Sequence, residues 1–131
     1  MTSKIVPAEV RATIQTAYRN LMAQGGVRRS SQQRMIGAIA NAVANAAHYD
    51  QPRSPERLMA VQAPTGTGKT YAYGIGAIPV AIAAGLKTII STGTVNLQEQ
   101  IVGKDLVRLK SVIPEMQAVL VKGRGRYACS V

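Results

Sequence analysis

Apolar positions in the first third of the chain recur with the period of helices that face a core. After Pro7, the residues Val10, Ile14, Ala17, Tyr18, Leu21 and Met22 share one face, and Gly25-Gly26 ends the run. Pro7 suits the first helical position, where its missing N–H is not needed. A second helix is predicted from Ser30 or Ser31, either of which would cap it. Its buried stripe is Met35, Ile36, Ile39, Ala40, Val43 and Ala47. Tyr49 to Pro55, with Pro52 and Ser54 between, reads as a surface connection.

From Leu58 the pattern changes. Leu58-Met59-Ala60-Val61 is a short apolar run, as expected of a strand buried on both faces of a parallel sheet. A glycine-rich turn follows, then a helical stretch from Lys69 to about Ala84, closed by Gly85. Pro79 should kink that helix or mark its end. Thr88-Ile89-Ile90-Ser91 predicts a second strand, Val95 to Leu109 a helix, and Ala118-Val119-Leu120-Val121 a third strand. Strand, helix, strand, helix, strand is the grammar of an α/β fold with a parallel sheet and flanking helices, here preceded by two helices.

Composition narrows the class. The chain has 131 residues, 47% hydrophobic and 17% charged, which excludes a disordered chain and fits a single domain. One cysteine, Cys129, rules out an internal disulfide. No signal peptide is expected from the opening residues. The most apolar stretch, Ala72 to Leu86, is interrupted by Pro79 and by Gly74, Gly76 and Gly85, and falls short of the roughly 20 residues a membrane span needs. A soluble, cytoplasmic protein is expected. Sixteen Lys and Arg against six Asp and Glu give a net charge of +10 and a pI near 10.4. Lys104, Arg108, Lys110, Lys122, Arg124 and Arg126 crowd the last part of the chain. A field of this sign favours polyanions such as nucleic acid, although a basic surface also simply keeps a protein in solution.

The candidate chemistry lies in Ala63-Pro64-Thr65-Gly66-Thr67-Gly68-Lys69-Thr70. It follows the phosphate-loop pattern G-x-x-x-x-G-K-[ST], with Ala63 where the first glycine would stand. Gly66 and Gly68 permit backbone geometry that turns successive N–H groups toward one anion. The loop leads into a helix N-terminus, which favours phosphate. Lys69 would reach the β- and γ-phosphates of a nucleotide, and the Thr70 hydroxyl would hold Mg²⁺.

Four segments in register carry a family resemblance. Ala63 to Thr70 looks like motif I of superfamily 2 helicases. Ser91-Thr92-Gly93-Thr94-Val95-Asn96-Leu97-Gln98-Glu99-Gln100 resembles motif Ia of the DinG branch, the XPD-like helicases. Arg29-Ser30-Ser31-Gln32-Gln33-Arg34-Met35 resembles that branch's adenine-recognition motif, and Lys122-Gly123-Arg124-Gly125-Arg126-Tyr127-Ala128-Cys129 the segment bringing in the first cysteine of its iron–sulfur domain. The resemblance implies the start of a RecA-like lobe that binds ATP and Mg²⁺ and translocates 5′ to 3′ on single-stranded DNA, within a duplex or an R-loop. It implies adenine reading by Gln32, with Gln33 the competitor one residue on, and base stacking or capping by Arg29. Thr92, Thr94 and Asn96 would contact the sugar–phosphate backbone, although Thr94 also reads as an ordinary helix cap. Cys129 would be the first ligand of a [4Fe–4S] cluster, a domain that is degenerate in some CRISPR-attached relatives.

Residues 1–27 are read as an N-terminal helical segment, and 28–131 as the first part of helicase domain 1, ending where the iron–sulfur insertion begins. None of the six carboxylates, Glu9, Asp50, Glu56, Glu99, Asp105 and Glu115, ends a strong apolar strand, so the acidic box of such enzymes is expected further on in a longer chain. The only histidine, His48, receives no role. Two rival readings are another phosphate-loop NTPase or kinase, and a recruitment module whose N-terminal helices dock on a larger protein or ribonucleoprotein complex.

Overall fold

The computed structural model describes residues 6–47, 58–123 and 125. Helix α1 spans Ala8–Ala23, α2 Ser30–Ala46 and α3 Lys69–Ala83. Helix α4, Val95–Gln100, continues through a π-helical turn, Ile101–Asp105, into α5, Leu106–Val112. The periodicity of α1 holds: Val10, Ile14, Ala17, Tyr18 and Leu21 are buried. Pro7 stands one position before the first helical residue.

Helix α3 is apolar on nearly every side, and such a helix must be central. Ala72 and Ile75 are wholly buried, with α2 and α1 packed against them and α5 delivering Leu109. Two glycines set these approaches. A Cβ at Gly76 would lie 2.8 Å from the Ile36 carbonyl oxygen, and one at Gly74 2.7 Å from Leu109 Cδ1. At Gly76 the neighbour is backbone and only hydrogen fits between the helices, whereas at Gly74 the neighbour is the end of the buried Leu109 side chain.

Several details depart from expectation. Ser30 is already the first helical residue of α2, and Arg29 holds the cap position without a side-chain cap bond. On α2, Gln32 and Ala44 are buried while Ala47 is only partly so. Helix α3 runs through Pro79 to Ala83, so the proline does not end it. Its ring removes one backbone bond, and burial of the surrounding turns offsets that loss. The stop comes at Gly85, φ 67°, where Leu86 N–H donates to Ala81 O at 2.8 Å and Gly85 N–H to Ile82 O at 3.0 Å. The fourth helical stretch, from Val95, extends to Val112 rather than Leu109 and widens at its middle.

The three expected strands are not seen: 58–61, 88–91 and 118–121 carry no strand pairing, and no sheet is present among the described residues. Their apolar side chains stand open, with Leu58 87%, Ile89 90% and Val119 89% exposed. Parallel strands are stabilised by cover on both faces, and the described residues supply little of it to these segments. The Tyr49 to Pro55 connection, Arg124, Arg126 and Cys129 lie outside the described residues.

The two helix glycines give opposite expectations. Gly76→Ala should lower stability by about 1–3 kcal/mol, since its methyl must push back the α2 backbone. Exposed Gly37, with nothing within 4 Å of an added Cβ, should gain about 0.5–1 kcal/mol as alanine. Denaturant midpoints of the two variants check both signs.

Candidate functional site

The turn from Ala63 to Gly68 enters α3 with two glycines in the left-handed region, Gly66 at φ 80° and Gly68 at φ 75°. Side chains tie down the loop's carbonyl oxygens. Lys69 Nζ donates to Ala63 O at 2.8 Å and to Pro64 O at 3.0 Å. Thr67 Oγ1 donates to Pro64 O at 2.8 Å. Arg29, at the cap of α2, donates to Gly66 O, and Gln32 Nε2 of α2 donates to Gly68 O at 3.1 Å. That Gly68 oxygen also receives the α3 helix bond from Ala72 N–H at 3.0 Å.

Gln32 is 5% exposed, yet its Oε1 has no partner. A buried amide that satisfies its donor and leaves its acceptor open points to a missing donor. Gln33, the competitor in register, is exposed. The structure brings Arg29, Gln32 and the loop together. A cavity of about 530 Å³ opens beside Lys69 and Thr70, between α2 and α3, with Met35, Ile39 and Tyr73 on its walls.

The second candidate cluster is separate from the loop. Thr94 caps α4, its hydroxyl accepting from Leu97 N–H at 3.3 Å, and Thr92 Oγ1 lies 3.4 Å from Thr94 O. Thr94 and Asn96 are exposed and Thr92 partly so. Gln98 Nε2 donates to Val121 O at 3.2 Å, which fixes the third apolar segment to α4. Of the basic residues near the chain's end, Lys104 and Lys110 face solvent. Arg108 does not serve as a free cation: it donates to Gln24 O at 2.7 Å and lies 5.4 Å over the Tyr71 ring.

Sequence reasoning passed over the group behind the loop. Asp105 is 4% exposed, with Oδ2 unpartnered. Burial first, then hydrogen bonding and charge from Asp105, push the Tyr71 hydroxyl above its ordinary range, and Arg108 acts the other way. A signal existed: Ile101, Asp105 and Leu109 are spaced by four, which sets a carboxylate in an apolar helical stripe. Among the described residues no group of three or more His, Cys, Asp or Glu is placed to hold a metal. Nor is any helix there long and apolar enough to cross a membrane.

With that geometry in place, likeness to known proteins gives the class. The family model for DEAD/DEAH box helicases matches residues 29–126, and the chain belongs to that family. Membership implies a RecA-like fold, of which the described residues show helices and no sheet. The chain is 36% identical over 126 residues, 94% of its length, to the ATP-dependent DNA helicase DinG of Photobacterium profundum. It is also 36% identical over 124 residues to the protein of that name from Escherichia coli. It spans only 18% and 16% of those two relatives.

Gly68 gives the sharpest local expectation. A methyl there would strain a left-handed residue and strike Gln32 Nε2, whereas at Gly66 only the strain arises. Titration of an ATP analogue should therefore show Gly68→Ala losing more affinity than Gly66→Ala. The strain common to both is about 1–2 kcal/mol.

Proposed function

We propose that this chain is the ATP-binding start of the first RecA-like lobe of a DinG-type, ATP-dependent DNA helicase. Residues 1–27 form its N-terminal helical segment, and 28–131 run to the beginning of an iron–sulfur-type insertion. The observation that carries the reading is Gln32, buried against the Gly68 carbonyl with its own oxygen open. That oxygen suits the exocyclic amine of adenine, a group that a site for phosphate alone would leave unread. Kinship with DinG helicases over most of the chain supports the same conclusion.

In this reading Ala63, Pro64, Thr65, Gly66, Thr67 and Gly68 form the loop whose backbone N–H groups face the phosphates. Lys69 leaves the Ala63 and Pro64 carbonyls for the terminal phosphates, and Arg29 covers the base. Thr70 offers a hydroxyl to Mg²⁺, which when bound neutralises charge on the β- and γ-phosphates. Thr92, Thr94 and Asn96 meet the backbone of single-stranded DNA, and translocation runs 5′ to 3′ as ATP closes two lobes on each other and hydrolysis releases them. On the resemblance, Cys129 is the first ligand of a [4Fe–4S] cluster.

In the full-length helicase, Lys69→Ala should abolish ATP-driven unwinding with the fold intact by circular dichroism. Gln32→Ala should keep triphosphate binding and relax the preference for ATP over GTP. Unwinding by the lysine variant at the parent rate removes the phosphate-loop assignment, and identical nucleotide profiles in the two variants remove the adenine role of Gln32.

The strand contacts are read separately. Asn96→Ala, which leaves the Thr94 cap in place, should weaken single-stranded DNA binding evenly across sequences, because backbone contacts carry no base information. Binding should fall with salt, each phosphate contact adding about 0.7 to the logarithmic slope. A flat salt response, or weakening confined to certain sequences, would count against this surface.

A further inference from the structure

Asp105 occupies a place that the proposed nucleotide and strand contacts leave unexplained. It ends the π-turn of one continuous helical run that begins beside Thr94, and it is buried with Oδ2 lacking a partner. A carboxylate taken out of water without full hydrogen bonding is costly. Widened helical turns of this kind gather at functional sites. Its neighbours lead toward the phosphate loop: Tyr71, whose hydroxyl is pushed upward by burial first and then by hydrogen bonding and charge from Asp105, follows Thr70 directly in the chain. Arg108, one turn beyond Asp105, lies over the Tyr71 ring and donates to Gln24 O.

We propose that Asp105 is a positioning residue that makes turnover at the phosphate loop respond to DNA on α4, acting through Tyr71 and Arg108. This rests on the helicase reading above. Two features make the path mechanical rather than merely adjacent. Leu109 meets the bare face of Gly74, so α5 and α3 touch without slack and a shift of one is passed to the other. Arg108 also has acceptors on two sides, the Gln24 and Leu21 carbonyls that it now holds at 2.7 and 3.5 Å, and the open Asp105 oxygen three residues back in the same helical run. Exchange between them gives two discrete arrangements, the requirement for transmitting a signal through packed side chains. In the second arrangement Arg108 leaves Gln24 and satisfies Oδ2, and the hold on Tyr71 changes beside Thr70.

The test uses the full-length helicase with Asp105→Asn, which keeps the side-chain volume and removes the charge, and with Tyr71→Phe, which keeps the ring beneath Arg108 and removes the hydroxyl. ATP affinity, single-stranded DNA affinity, and ATP hydrolysis with and without DNA are measured for each. Both variants should bind ATP and DNA as the parent does and hydrolyse ATP at the parent's unstimulated rate. Their stimulation by DNA should fall at least about fivefold, the lower end of usual coupling factors. Undiminished stimulation in both variants overturns the proposal. So does a parallel loss of ATP affinity in both, which would mark these residues as mere packing. A parent protein that DNA does not stimulate would instead sink the helicase reading, and this proposal with it.

Discussion

The seating of α2 on α3 is the contact on which the remaining features depend. Gly76 lets the Ile36 carbonyl approach α3 closer than any side chain would permit, and α2 is thereby held in one register. That register places Gln32 over Gly68 and Arg29 over Gly66, at the open end of the same helix pair. A shift by one residue along α2 would carry Gln32 off the loop and bring exposed Gln33 toward it. Packing far from the loop thus decides which amide stands next to it.

The loop itself illustrates a constraint on any backbone anion site. If successive N–H groups are to face a ligand, the carbonyl oxygens must face the other way and find donors there. Lys69, Thr67, Arg29 and Gln32 supply those donors, to oxygens of Ala63, Pro64, Gly66 and Gly68. Two of the four side chains come from α2 or its cap, so the loop's shape is shared between the segment that forms it and a helix more than thirty residues earlier. Lys69 differs from the others because its present acceptors lie in the loop that phosphate would occupy, and it can exchange them for a stronger anionic partner.

The helices were legible because an apolar stripe at helical spacing reports burial directly, as Val10 to Leu21 and Ile75 do. Their ends were legible where glycine takes a left-handed turn, at Gly25 and Gly85. What failed was local rules applied where tertiary packing decides. Pro79 reads as a stop, but its helix is buried on nearly all sides and continues. Ser30 reads as a cap, but the neighbouring Arg29 is drawn to Gly66, and the helix begins one residue sooner. Arg108 reads as part of a basic face, yet Gln24 and Tyr71 hold it. The strands were a matter of pairing rather than pattern: Leu58, Ile89 and Val119 have the composition of buried strands, and exposure shows that such residues need neighbours before they become a sheet.

In the proposed function, Lys69 and the open oxygen of Gln32 face the two ends of one ATP molecule. A structure of the full-length protein with a non-hydrolysable ATP analogue and Mg²⁺ tests this most directly. Lys69 Nζ is expected to have left Ala63 and Pro64 for the terminal phosphates, while Gln32 keeps its bond to Gly68 and accepts a hydrogen bond from the adenine amine. Phosphates bound away from Gly66 to Thr70, or an adenine lying out of reach of Gln32, would contradict it.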